Sequence, residues 1–242
     1  MYKKFILVVL SIVLSGCASS SLESKISESK ESMLVETNNY ANLVSLYKQS
    51  LKEKEDVVTR IKLAKAYANL GDHESSLFVI QRVKDKAQNS DALKVECNAL
   101  FELGDIKGAE SCLLKVISLD KNNAEVENQL GIVYAYLGDI PKAKAYFELS
   151  REHFIDDVKI KNNLAMINML EGKFNNAVSL LLPIYTNDKS NGRVEANLVF
   201  SLVKIGELES AKKILAKHYS DKEIDQIVRD ISTSQSVSIE SV

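Results

Sequence analysis

Few side chains in this sequence are of the kind that react. There are three cysteines (Cys17, Cys97, Cys112) and three histidines (His73, His153, His218). A thiolate or an imidazole becomes a nucleophile, base or metal ligand only when the chain gathers partners around it. The histidines lie far apart, each in or near a predicted turn, which fits solvated turn residues rather than a shared metal site. No His-Glu-x-x-His, Cys-x-x-Cys, glycine-rich phosphate loop or Gly-x-Ser-x-Gly occurs. Acidic pairs such as Asp156-Asp157 and Glu207/Glu209 fall at predicted helix starts, where carboxylates suit the helix dipole. The expectation is therefore binding without turnover: no enzyme, no cofactor, no metal and no small-molecule substrate. A hydrolase with a hidden site is the rival, and it has no motif to stand on. Cys97 and Cys112 could pair in an oxidising compartment, but as small apolar helix residues they read as buried free thiols.

Cys17 stands in a different setting. Lys3 and Lys4 precede an apolar run, Phe5 to Leu14, too short to span a bilayer, and Leu14-Ser15-Gly16-Cys17 closes it. That closing tetrapeptide resembles the lipobox of bacterial lipoproteins. The resemblance implies that residues 1–16 are removed as a signal peptide and that Cys17 carries the lipid (palmitate among its chains). Lipoproteins of this kind carry three acyl chains, well beyond the marginal hold of one. Ala18 stands where an inner-membrane retention signal would place Asp, so the implied location is the outer membrane, facing the periplasm. Residues 17–37, rich in Ser, Glu and Lys, read as a flexible lipidated tether.

The remaining composition bounds the fold. The 242 residues hold 31 Lys+Arg against 33 Asp+Glu, with no basic block, which gives no electrostatic reason to bind nucleic acid. Two prolines, nine glycines and no tryptophan, with abundant Ala, Leu, Lys and Glu, point to an all-α chain.

Glycines set the period. Gly71, Gly104, Gly138, Gly172 and Gly206 are separated by 33, 34, 34 and 34 residues. With the glycine at position 15 of each copy, position 8 holds Ala64, Cys97, Gly131, Ala165 and Val199. Position 20 holds Ser76, Ala109, Ala143, Ala177 and Ala211, and position 24 holds Ile80, Leu113, Phe147, Leu181 and Leu215. Small residues at 8 and 20 let two helices approach, and large ones at 24 fill the space between them. The pattern resembles the tetratricopeptide repeat (TPR), a helix-turn-helix of 34 residues. It implies a TPR α-solenoid, a right-handed superhelix over residues 38–231. Repeats are expected at about 57–90, 90–123, 124–157, 158–191 and 192–219. A degenerate N-terminal helix (Tyr40 to Lys52) and a capping helix at 221–231 should cover the ends, and residues 232–242 read as a disordered tail. Glycine should end each first helix in a left-handed turn, and Asp72, Asp105 and Asp139 should cap the second. Pro141 suits a first helical turn, whereas Pro183 predicts a kink or early end.

A solenoid offers its inner wall for binding. The positions that face it in TPRs give Lys94, Asn98 and Phe101, then Asn128, Ile132 and Tyr136, then Asn162, Met166 and Met169. The last repeat adds Arg193, Val199 and Lys204. Asparagine amides can bond an extended peptide backbone, and Tyr and Met give adaptable apolar contact. A clamp for a C-terminal carboxylate is matched at three of five positions, by Lys94, Asn98 and Lys159, but Gln129 stands for its asparagine and Asn163 for its decisive arginine, so a clamp of that type is not expected.

The C-terminal half carries further detail. Asn162-Asn163-Leu164-Ala165, Leu181-Leu182-Pro183 and Arg193-Val194-Glu195-Ala196-Asn197-Leu198 resemble the TadD family, TPR lipoproteins of tight-adherence (Flp) pilus assembly. The resemblance covers roughly residues 38–231. It implies an outer-membrane adaptor that binds a protein partner, such as the secretin, during assembly of the pilus secretion apparatus. A TPR lipoprotein of another envelope machine, such as a type IV pilus pilotin or an outer-membrane assembly factor, fits the same features.

Overall fold

A computed structural model describes residues 28–83 and 85–234. The expected signal peptide, Cys17, the first part of the tether and residues 235–242 lie outside the described residues. Among the described residues there are thirteen α-helices and no strand. They are α1 (28–36), α2 (Tyr40–Glu53), α3 (Val57–Asn69), α4 (His73–Ile80), α5 (Ser90–Glu102), α6 (Ile106–Leu119) and α7 (Ala124–Tyr136). After these come α8 (Ile140–Glu152), α9 (Asp157–Leu170), α10 (Phe174–Asn187), α11 (Gly192–Lys204), α12 (Leu208–Leu215) and α13 (Asp221–Thr233). The chain divides into two compact units at Gly104/Asp105.

Local chemistry makes the hairpins. All five periodic glycines have positive φ, between 72° and 84°. At Gly172 an added Cβ would meet no atom, so backbone conformation alone demands glycine there. The carboxylates of Asp72, Asp105 and Asp139 accept the amides of Ser75, Gly108 and Lys142 and so cap α4, α6 and α8. Pro141 lies in the first turn of α8. Ser220 and Glu223 form a capping box that starts α13.

In the first unit, α3 packs on α2 and α4, and α5 packs on both α3 and α4. Leu43, Val44, Leu63, Ala64 and Ile80 form its core. Residues 28–36, expected within the tether, are instead helical: Leu34 is buried in that core, and Glu31 accepts the Tyr47 hydroxyl at 2.8 Å. Burial pushes the Tyr47 phenol up, and the Glu31 carboxylate beside it adds to the shift. Glu96, half-buried on α5, is paired with Lys86, whose ammonium lies 2.6 Å from its carboxylate.

In the second unit each helix packs on its neighbours in sequence, and first helices also touch one another, α7 on α9 and α9 on α11. The small-large pairing holds: Ala143, Ala165, Ala177 and Ala211 are fully buried beside Phe147, Leu181 and Leu215. Ile224 and Val228 of α13 close the core at its end. Pro183 does not end α10, which continues to Asn187. Both Pro183 and Ser179, whose carbonyl would have received the missing N–H, are exposed, so the carbonyl left without that bond is open to solvent. Cys97 and Cys112 correct the free-thiol expectation: both are buried, and both are disulfide-bonded.

Candidate functional site: the inner face of the second unit

Three helices, α7, α9 and α11, present equivalent residues at equivalent heights. Asn163 Nδ2 donates to Asn128 Oδ1 at 2.7 Å, and one repeat later Asn197 Nδ2 donates to Asn162 Oδ1 at 3.0 Å. Position 6 of one helix thus bonds position 5 of the helix before it, twice over. The ladder ties neighbouring repeats through amides rather than ion pairs. It changes the reading of Asn128: the residue is 5 % exposed and committed to Asn163, so it serves the joint between repeats. Asn162 keeps its own NH₂ group uncommitted among the described residues, and Asn163 and Asn197 keep their carbonyl oxygens.

Apolar contact flanks the amides. Ile132, Met166 and Phe200 occupy position 9 on the three helices, all half-buried. Tyr136 stands 62 % exposed at the end of α7. Met169 packs partly against the core, and Val199 lies wholly within it, so Val199 leaves the candidate set. The Phe200 ring tilts against Phe174 at 6.1 Å, with Lys204 Nζ 5.5 Å above it.

Charge is sparse and mostly paired. Lys159 reaches Glu125 at 3.2 Å, and Lys161 reaches Asp157 at 2.6 Å. Arg193 is exposed and makes no ion pair among the described residues. Of the other candidates, Lys94, Asn98 and Phe101 lie on α5 of the first unit, Lys94 paired with Asp91 at 3.0 Å. Asn128, Ile132, Tyr136, Asn162, Met166, Met169 and Arg193 share the second unit. Of the carboxylate-clamp set, Asn163 is taken by the ladder.

Two pairings escaped sequence reasoning. Glu127, 2 % exposed, receives His153 Nδ1 at 2.7 Å, and Glu195 lies 3.2 Å from His218 Nε2. Both glutamates occupy position 4 and both histidines follow the second helix of the same hairpin, so these histidines are not free turn residues. The recurrence of Glu at position 4 was the available signal. Nearby, Tyr134 stacks on Tyr146 at 5.3 Å, and burial, with Glu110 assisting, pushes its phenol up to about 12. No group of three or more His, Cys, Asp or Glu side chains suited to a metal ion occurs among the described residues.

The model of a tetratricopeptide repeat matches residues 98–123. Solved structures agree over most of the chain. TTC0263, a thermophilic TPR protein of Thermus thermophilus, is 20 % identical with a TM-score of 0.61, covering 72 % of this chain and 95 % of that one. This chain has the TPR fold. MamA of Desulfovibrio magneticus RS-1 is similar at 18 % identity and TM-score 0.57, covering 69 % of this chain and 96 % of that one. Pseudomonas aeruginosa pilF is similar at 14 % identity and TM-score 0.58, over 73 % and 86 % of the two chains. No curated protein matches the sequence.

Proposed function

We propose that this TPR protein is a non-catalytic adaptor whose second unit grips an extended segment of a protein partner on the inner face of α7, α9 and α11. The observation that carries the reading is the asparagine ladder set between Ile132, Met166 and Tyr136. It supplies fixed amide donors and acceptors beside adaptable apolar side chains, the combination an extended peptide needs. The lipobox-like Leu14-Ser15-Gly16-Cys17 supports attachment to the outer membrane through Cys17, with the periplasm as workplace. The likeness of residues 162–165, 181–183 and 193–198 to tight-adherence pilus lipoproteins supports a partner in that secretion apparatus, its secretin being the first candidate. Anchoring raises the effective concentration of a membrane-bound partner, so modest intrinsic affinity suffices.

A cross-linking pull-down from outer membranes tests the reading. Tyr136→Ala and Asn162→Ala should each reduce partner recovery while circular dichroism stays unchanged, and Cys17→Ser should release the protein from the membrane fraction. Undiminished recovery with both groove variants would remove the inner face from consideration. Recovery of a different envelope complex in place of the pilus secretin would reassign the machine while leaving the groove intact.

A further inference from the structure

We propose that Phe154 is an anchor whose ring enters an apolar socket, rimmed by lysine or arginine, on a protein partner. The residue lies in the turn between α8 and α9, and the proposal does not rest on the reading of the inner face. Phe154 has a φ of 67° and is 94 % exposed. Left-handed backbone is costly for an L-residue, and a bulky residue there is an outlier. The chain itself shows what the conformation asks for. The Phe154 amide donates to the Arg151 carbonyl, and the Ile155 amide donates to the Ser150 carbonyl, both at 3.1 Å. The same pair of bonds ends α9, where the Gly172 amide donates to Met169 and the Lys173 amide to Asn168. That turn uses glycine, at a φ of 72°. The other non-glycine residues with positive φ among the described residues are Asn38, Asp85 and Asn122, types that tolerate it. Phenylalanine at this spot is strained, and a ring left in water returns nothing to the core.

The turn is also held still. His153 Nδ1 lies 2.7 Å from the Glu127 carboxylate of α7, and Ser150 Oγ donates to the Ala124 carbonyl at 2.6 Å. The ring thus stands on a backbone pinned to the neighbouring helix, so little is lost in ordering it when a partner arrives. Charge selects the occupant. Glu148, Glu152, Asp156 and Asp157 flank the turn, with Arg151 as the cation among them, and all five are exposed. Arg151 is shared loosely between Glu148 at 3.9 Å and Asp157 at 3.6 Å, and Lys161 takes up Asp157 at 2.6 Å. Glu152 makes no ion pair among the described residues. A bilayer fits this collar badly, because sinking the ring would carry carboxylates toward low dielectric and anionic headgroups. A protein socket with a cationic rim suits both the ring and the carboxylates around it. Burial of the ring there raises affinity about 10- to 100-fold.

The test puts a photoreactive ring in this place, Phe154→p-benzoylphenylalanine, in the full chain in cells. Irradiation and mass mapping should give an adduct to another protein, on a segment with Lys or Arg beside apolar residues. Glu148→Lys together with Glu152→Lys should cut its yield about fivefold, exposed attractions being replaced by repulsions. Phe154→Gly should lower pull-down recovery of that same protein about tenfold. It should also raise the thermal midpoint by about 2 °C, since glycine takes the turn without strain, and Phe154→Asn should act in the same two directions. A ring that served the fold would give the opposite shift. A lower midpoint with both variants, a covalent dimer, absence of any protein adduct, or a yield indifferent to the charge reversal would overturn the proposal. So would binding of the Cys17→Ser chain to vesicles of phosphatidylethanolamine and phosphatidylglycerol that is lost with Phe154→Gly, which would make the ring a lipid contact.

Discussion

Replacing Gly131 by alanine sets two physical effects against each other. In the interior of a helix, alanine is favoured over glycine by about 1 kcal/mol, so propensity alone predicts a gain in stability. The packing predicts a loss. A Cβ on Gly131 would lie 2.5 Å from both Cδ1 and Cε1 of Phe147 and 3.0 Å from Cζ. Carbon atoms rest about 3.5 to 4.0 Å apart, so the ring would have to retreat by about 1 Å. Phe147 is 1 % exposed, with neighbours on every side. Overpacking of this kind costs about 1 to 3 kcal/mol. Where the ring cannot give, the cost exceeds the gain, and the net effect is destabilisation of about 1 kcal/mol, a fall of about 2 to 4 °C in the thermal midpoint.

The neighbouring repeats say how to undo it. The same pair is Ala64 with Ile80 and Ala165 with Leu181 elsewhere, all fully buried. Phe147→Leu alone removes volume and should cost about 1 kcal/mol. Gly131→Ala with Phe147→Leu restores the combination at Ala165 and Leu181 and should lie close to wild type. The two changes therefore couple by about 2 kcal/mol. Thermal and urea melts followed by circular dichroism at the helix band measure all four corners of the cycle. A stabilised Gly131→Ala, or singles that simply add, would show that helix spacing in this hairpin is not set by contact between positions 8 and 24.

Two more perturbations probe what fixes the hairpins. His153→Ala strips the partner from Glu127, a carboxylate buried to 2 % exposure, and should cost about 2 kcal/mol in urea denaturation, whereas His153→Gln, which keeps a donor, should cost less. Acid should unfold the chain through its carboxylates. The Ser75 hydroxyl and then its backbone amide hold Asp72 low; the Lys142 side chain and then its amide hold Asp139 low; Lys161 lowers Asp157, and Lys144 with Lys173 lowers Glu171. Depressed folded-state values give stability that is present above the unfolded range near about 4 and is lost as pH falls through the lower folded values. Thermal midpoints should hold steady from neutral pH to about 5 and decline below about 4; an unchanged midpoint at lower pH would contradict the capping and ion-pair assignments.

Much of this fold is legible in the chain because its signals are local and repeated. A glycine that needs positive φ, an aspartate that caps three residues ahead and a buried stripe at fixed spacing each act within one hairpin, and Gly71, Asp72 and Ile80 show all three. The departures have a different origin. Pro183 predicts a break through its missing N–H, but the outcome depends on whether water can reach the Ser179 carbonyl, which is a property of the packed helix. Residues 28–36 look like a tether by composition, yet a single leucine, Leu34, and the Glu31–Tyr47 bond draw them onto the first unit. The fate of Cys97 and Cys112 turns on proximity, which spacing along the chain does not encode. At the candidate site, residue types are readable and their commitments are not: Asn128 looks the same as Asn162 in sequence, but one is sealed in a joint and the other keeps its side-chain NH₂ uncommitted among the described residues.

That difference makes the ladder testable as a device for binding rather than for stability. Asn197→Ala removes the donor that holds Asn162 Oδ1, together with the one carbonyl oxygen that Asn197 offers the partner, and Asn163→Ala removes the matching carbonyl, so the pair differs in which asparagine is released. A net hydrogen bond of this sort contributes about 1 kcal/mol to folding, so the melt should shift only slightly. Binding responds differently, because an unheld side chain must be ordered as the partner arrives, at about 0.5 to 1.5 kcal/mol, or up to about tenfold in affinity. Asn163→Ala frees Asn128, which is buried away from the groove, and should lower affinity less than Asn197→Ala while costing more stability, because a buried acceptor is left unsatisfied. A larger affinity loss for Asn197→Ala, the variant that costs less stability, would show the outer rung presenting Asn162 to the partner. Equal losses of affinity would mean that the ladder acts only by holding the repeats in register.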